Sequence, residues 1–131
     1  MNITLDASII IAVITNEPAR PKILEATAGA ELIAPESIHW EIGNAFSALF
    51  KKRMITLEQV KAALKIYNGI PIRIVGVDLE PALVIANKYD IYAYDAYVIE
   101  CALKYKSPLI TLDMRLMDFA IKNSVDVLKI K

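Results

Sequence analysis

The chain has 131 residues, 56% of them hydrophobic, and its 15 Lys+Arg balance its 15 Asp+Glu to a net charge of 0. That length and composition fit one domain, residues 1–131, with a sizeable core, and only 4 Gly and 6 Pro exclude a disordered or low-complexity chain. One Cys and one His exclude a disulfide framework and a Cys-based zinc site, so a catalytic metal would be held by carboxylates, and zero net charge argues against tight, indiscriminate nucleic-acid binding.

The elements follow in order. Asn2 to Leu5 reads as a buried strand, cut off by Asp6-Ala7-Ser8 and followed by an apolar helix. The apolar run Ala7 to Thr15 is far short of the roughly 20 residues of a membrane span. It also lacks the basic lead of an export signal, so a cytoplasmic protein with no membrane association is expected. Pro18 and Pro21 bracket the start of a second helix that stops around Gly29. Glu31 to Ala34 is a second strand, and Ser37 is placed to cap a long helix to about Lys52. Thr56-Leu57-Glu58-Gln59 has capping-box spacing and opens a helix to about Asn68, with Gly69 as its stop.

Pro71 to Val77 is a third strand, and Asp78 begins a helix through Lys88. Tyr94-Asp95 opens another helix, with Ala96, Ile99, Ala102 and Leu103 as its apolar stripe. Pro108 to Leu112 is a fourth strand, Asp113 starts a short helix, and Val125 to Ile130 is a fifth strand. Strands alternating with helices predict an α/β fold: a central parallel sheet of about five strands, flanked by helices on both faces.

Parallel α/β sheets build their sites at the carboxyl ends of the strands. Asp6 and Asp113 follow the first and fourth strands, Asp95 starts the helix leading into the fourth, and Glu41 sits one turn into the Ser37 helix. Taken singly, Asp6, Asp95 and Asp113 read more readily as plain helix caps than as site residues. Glu41 does not. Ile38, Ile42, Ala45 and Leu49 are its apolar neighbours, Trp40, Phe46 and Phe50 complete the cylinder, and no Lys or Arg lies at i±3 or i±4. A helix apolar on most faces is buried, and an unpaired buried carboxylate is costly. A divalent cation shared among several acids would compensate, and phosphodiester hydrolysis is the chemistry such a site favours.

At these residues the sequence resembles the PIN-domain ribonucleases, specifically the VapC toxins of toxin–antitoxin pairs, over essentially its whole length. The motifs are Leu5-Asp6-Ala7-Ser8, Glu41-Ile42-Gly43-Asn44-Ala45, Tyr94-Asp95-Ala96 with Ala102 downstream, and Leu109-Ile110-Thr111-Leu112-Asp113. Each alone is weak; four in the right order and spacing are specific. The resemblance implies that Asp6, Glu41, Asp95 and Asp113 are catalytic and hold one or two Mg²⁺ or Mn²⁺ ions. It implies hydrolysis of RNA by metal-activated water, leaving a 5′-phosphate and a 3′-hydroxyl, with Ser8, Asn44 and Thr111 orienting the carboxylates and water. It also implies a homodimer and a cognate antitoxin that blocks the acidic pocket. The chain departs from the family at Lys122-Asn123-Ser124-Val125, where members often have Gly. Basic residues near the mouth are reduced to Arg115, Lys104 and Lys106.

Alternatives within the family are an RNA-processing nuclease outside a toxin system and a catalytically idle binding scaffold; four retained carboxylates argue against the scaffold. A phosphatase of the haloacid dehalogenase type wants an Asp where Ser8 stands. A receiver-like signalling domain wants a Lys where Asp113 stands. Lys51-Lys52-Arg53 reads as a cationic helix end. Cys101 reads as a small core residue, His39 as packing, and Glu100 and Asp118 as peripheral to the acids. Tyr89, Tyr92, Tyr94 and Tyr97 cluster around Asp95. Such a group could stack on bases or line a protein interface, and the interface is the preferred expectation.

Overall fold

The computed structural model describes residues 1–130. In chain order the elements are β1 (Asn2–Leu5), α1 (Ala7–Ile14), α2 (Arg20–Thr27), β2 (Glu31–Pro35), α3 (Ile38–Lys51), α4 (Leu57–Gly69), β3 (Ile72–Val75), α5 (Leu79–Tyr89), α6 (Ala93–Lys104), β4 (Leu109–Ile110) and α7 (Met114–Lys122). The strands form one parallel sheet in the order β3-β2-β1-β4.

Side chains alternate across the sheet with the period of two that strands impose. Ile3, Leu5, Ala34 and Ile110 join a core built with α1, α2, α3 and α4. Leu109 points the other way, into a core of Ala82 and Ile85 from α5, Ala96, Val98, Ile99 and Ala102 from α6, and Leu116 and Ala120 from α7. Cys101 is buried beside Thr4, whose hydroxyl bonds that of Ser107.

Local signals set most element ends. Thr56 Oγ1 accepts from the Gln59 amide at 3.1 Å and Gln59 Oε1 from the Thr56 amide at 2.9 Å, closing the capping box. Gly29 takes φ +78, the left-handed conformation in which glycine ends a helix without steric cost. Gly69 does not act as a stop. It is the last residue of α4, and the helix ends because Pro71 forces Ile70 into an extended conformation, φ −83 and ψ 125. Ser124 sits at φ +63, left-handed without being glycine, at the junction where the sequence departs from the family pattern.

The fifth strand is reduced to a single parallel bridge, Leu109 to Val127. Leu109 donates its amide to Asp126 and receives that of Leu128, both at 2.8 Å, so the segment does flank β4. With β4 only two residues long, it offers no longer ladder. Two further expectations change. Ser37 has helical φ −70 and ψ −10, and its hydroxyl is buried without a partner instead of capping α3. Helix α3 buries only Ile38, Ile42 and Phe46, leaving Trp40 70% exposed and Phe50 partly so; it is amphipathic in the single chain.

Strand order reverses between β1 and β4: the chain steps outward from β1 to β2 and β3, then returns to the other side of β1. In open parallel sheets such a switch leaves a crevice beyond the strand ends. Asp6 and Asp113 flank it.

Candidate functional site

The register fixes the centre of the site. Thr4 pairs with Leu109 and Leu5 with Ile110, which sets Asp6 opposite Thr111. Thr111 Oγ1 donates to Asp6 Oδ2 at 2.7 Å, and Ser8 Oγ donates to Asp6 Oδ1 at 2.7 Å. Each hydroxyl also accepts an amide at 3.0 Å, Thr111 from Asp113 and Ser8 from Leu112. The Ile9 amide reaches Asp6 Oδ1 at 3.4 Å, so Asp6 caps α1 as well. Asp6 is thus 4% exposed, held on both oxygens, and tied to the end of β4.

Asp113 caps α7, its Oδ1 accepting the amides of Arg115 at 2.9 Å and Leu116 at 3.2 Å. Asp95 is not a cap. Tyr92 occupies that position in α6, and Asp95 lies in the first turn. Glu41, in the first turn of α3, has its Oε2 buried with no hydrogen-bond partner.

These four acids line one open pocket of about 910 Å³ together with Ser8 and Asn44. Its walls include Ile11, which no motif marks, and Ala45, which the sequence marks as an apolar neighbour of Glu41 and the end of its motif. Each stands four residues after a pocket residue, Ala7 and Glu41, and so on the same helix face one turn on. Tyr92, Tyr94 and Tyr97 complete the lip. Tyr89, the fourth of the tyrosine cluster, packs on Phe119 at 5.9 Å and donates its hydroxyl to the Lys122 carbonyl. Glu100 and Asp118 lie outside the pocket, as expected.

Burial, more than anything else, pushes the Asp6 carboxyl up to about 6, against the pull of the Ser8 and Thr111 hydroxyls and with a push from the Asp113 charge. Glu41 rises to about 7, first through burial and then through the charges of Asp6, Asp95 and Asp113. Asp95 is raised by burial and by Asp113, with Arg115 opposing. Among the described residues no Lys, Arg or His lines the pocket. Of the expected basic residues only Arg115 is felt by an acid of the site. Lys104 pairs with Asp78 at 3.3 Å, at the far end of α6 and ~13 Å along its axis from Asp95. Lys106 lines a separate cleft with Ser107 and Pro108, at the opposite end of β4 from Asp113.

Among the described residues no three His, Cys, Asp or Glu side chains already stand together as a ready-made ligand set. Asp6 spends both oxygens on hydroxyls, and Asp113 spends one on helix amides. The residues nonetheless fit a cation. Glu41 Oε2 is an orphaned buried oxygen, the acids raise one another's pKa values, and nothing in the lining neutralises them. An all-carboxylate donor set suits a hard divalent ion such as Mg²⁺ or Mn²⁺.

A family model described as PIN domain matches residues 3–122. No curated protein matches the sequence. Solved structures do match. VapBC2 from Rickettsia felis, bound to a DNA fragment from its promoter, aligns with a TM-score of 0.69 at 14% identity over 98% of each chain. VapC20 of Mycobacterium tuberculosis, a toxin that cleaves the sarcin–ricin loop, aligns with a TM-score of 0.65 at 15% identity, over 97% of this chain and 99% of that one. A toxin–antitoxin complex from Klebsiella pneumoniae aligns with a TM-score of 0.59 at 16% identity, over 86% and 88%. At these identities the likeness is one of fold.

Proposed function

We propose that this chain, which belongs to the PIN domain family, is a divalent-metal-dependent endoribonuclease, the toxin of a toxin–antitoxin pair. The observation that carries the reading is the buried, unpartnered oxygen of Glu41 facing three more acids in a pocket without a lining cation. Asp6, Glu41, Asp95 and Asp113 would hold one or two Mg²⁺ or Mn²⁺ ions. Such an ion, when bound, activates water as nucleophile and neutralises charge on the phosphodiester. The chain's own residues supply position and proton exchange. Ser8 and Thr111 fix the direction of the Asp6 carboxylate, and Asn44 lines the wall one helical turn beyond Glu41. Glu41, with its carboxyl at about 7 before metal binds, would give up a proton as it takes hold of the ion. In-line attack on phosphorus breaks the bond to the 3′-oxygen and leaves a 5′-phosphate and a 3′-hydroxyl.

An antitoxin partner and a homodimer belong to the same proposal. Supporting them are the VapBC and toxin–antitoxin structures among the neighbours and the large apolar side chains left exposed on α3 and just beyond it, Trp40, Phe50 and Met54. Among the described residues no helix is long and apolar enough to cross a membrane; the cytoplasm is the proposed location.

The test is cleavage of a structured RNA pool with Mg²⁺ or Mn²⁺, with EDTA, and with Asp6→Asn in parallel. Cutting that requires metal and is lost in the variant supports the assignment. Cutting that survives in Asp6→Asn removes the site, and no cutting by folded, partner-free protein favours a binding scaffold.

A further inference from the structure

The six tyrosines divide into two sets. Tyr67 bonds His39 Nδ1 at 2.7 Å, Tyr89 donates to the Lys122 carbonyl at 3.3 Å, and Tyr105 donates to the Gly76 carbonyl at 3.0 Å. Each of these spends its hydroxyl on holding two elements together. Tyr92, Tyr94 and Tyr97 form no such bond among the described residues, and all three line the acidic pocket.

Their packing is graded. Tyr97 is half-buried against the core under α6 and meets Tyr94 edge to face, with ring centres 6.3 Å apart and planes at 70°. Tyr94 is 37% exposed, and Tyr92 at the helix N-cap is 84% exposed. One ring is anchored, the next leans on it, and the third stands free at the lip.

A polyanion approaching this pocket meets four carboxylates and, among the described residues, no lining cation. A net charge of 0 gives it no long-range attraction either. An ion held by the acids would meet the phosphate at the cut, so affinity for the rest of the strand needs a source other than Lys or Arg lining the pocket. Every nucleobase has an uncharged face that stacks on an aromatic ring, but only if it is not already stacked within a duplex.

We propose that Tyr94, steadied by Tyr97, and the free-standing Tyr92 offer stacking faces for unpaired nucleobases beside the acidic pocket, so that the protein selects single-stranded RNA through its bases. This rests on the nuclease reading for the presence of RNA, and its test is one of binding, kept separate from cleavage. The full chain is titrated with a short, labelled single-stranded RNA and with its duplex, in EDTA, where metal-dependent cutting cannot occur, and over about 50 to 200 mM salt. The proteins are the parent, Tyr92→Phe, Tyr92→Ala and Tyr94→Ala, each checked for an unchanged melting temperature and for oligomeric mass. Each Ala variant is expected to weaken single-strand binding about tenfold while Tyr92→Phe retains it. The duplex should bind poorly and the salt dependence should be shallow. Equal binding by parent and Ala variants overturns the proposal, as does a steep salt slope with duplex bound as well as single strand. Loss of a dimer in Tyr92→Ala with RNA binding intact also overturns it and makes the lip a protein interface. Tyrosine-dependent binding without cleavage of natural RNA would leave the proposal standing and remove the nuclease reading.

Discussion

Thr111 Oγ1 lies 2.7 Å from Asp6 Oδ2, donating to it, and accepts the amide of Asp113 at 3.0 Å. A hydroxyl has a single proton, so its direction is settled: it points at Asp6, and its lone pair receives the backbone that carries the next acid. Thr111 thereby sets the position of two acids from two adjacent strands. Thr111→Val keeps the shape and removes both bonds. The expected result is a stability loss of about 1–3 kcal/mol, because the buried Asp6 carboxyl loses one of its hydrogen bonds. Mn²⁺ affinity should fall roughly 10–100-fold, as for other groups that orient ligands. Calorimetric titration with Mn²⁺ and thermal melting check the two effects separately; unchanged affinity would remove Thr111 from the site.

The raised carboxyls make stability depend on pH in a definite direction. Asp6 goes from 3.8 to about 6 and Glu41 from 4.5 to about 7. Between about pH 4 and 7 the folded chain holds more protons than the unfolded one, so stability from these groups is full at the acid end and is lost as pH rises. In EDTA the melting temperature should therefore decline across that window. Mn²⁺ competes with the protons, so its stabilisation should be small at pH 5, large at pH 8, and accompanied by proton release. Melting curves across pH with and without metal test this. A metal-free melting temperature that climbs steadily from pH 5 to 8 would contradict the assigned burial.

Glu41→Gln separates function from stability. The parent at pH 8 without metal holds an ionised carboxylate with one buried oxygen unpartnered. Removing the charge should raise the metal-free melting temperature by a few degrees at pH 8 and leave it nearly unchanged at pH 5, where the acid is already protonated. Mn²⁺ should stabilise the variant far less than the parent. A variant less stable than the parent at both pH values would mean that Glu41 has a partner after all.

Chain-local features were readable from the sequence, and long-range ones were not. The Thr56–Gln59 capping box and the Gly29 stop are decided within a few residues, and both stand as predicted. Ser37 shows the limit of such signals: a cap needs extended backbone to aim its hydroxyl, and the turn after β2 imposes helical angles instead. The Val125 to Ile130 strand shrinks to one bridge because its partner β4 is only two residues long, a length no periodicity reveals. At the site, four acids at strand ends and helix starts suggested one pocket. The register that sets Asp6 opposite Thr111 comes from pairing across more than 100 residues. The distribution of cations was also hidden, since Lys104 and Lys106 lie near Asp95 in sequence but at the other end of the sheet.

Asp113 raises the question of cap against ligand most sharply, because its Oδ1 does the work of a cap on Arg115 and Leu116 while the residue lines the pocket. Asn serves as an N-cap about as well as Asp, so Asp113→Asn should keep α7 and cost at most about 1 kcal/mol through the lost interaction with the helix dipole. If Asp113 is only a cap, Mn²⁺ binding and cleavage will survive the change. If its charge belongs to the metal site, Mn²⁺ affinity should drop at least tenfold and cleavage with it, at nearly unchanged melting temperature in EDTA. Asp113→Ala is the companion variant: it loses the cap too, and should add about 1 kcal/mol of instability to the same loss of metal. Equal metal binding in the parent and the Asn variant would leave Asp6, Glu41 and Asp95 as the metal-holding set.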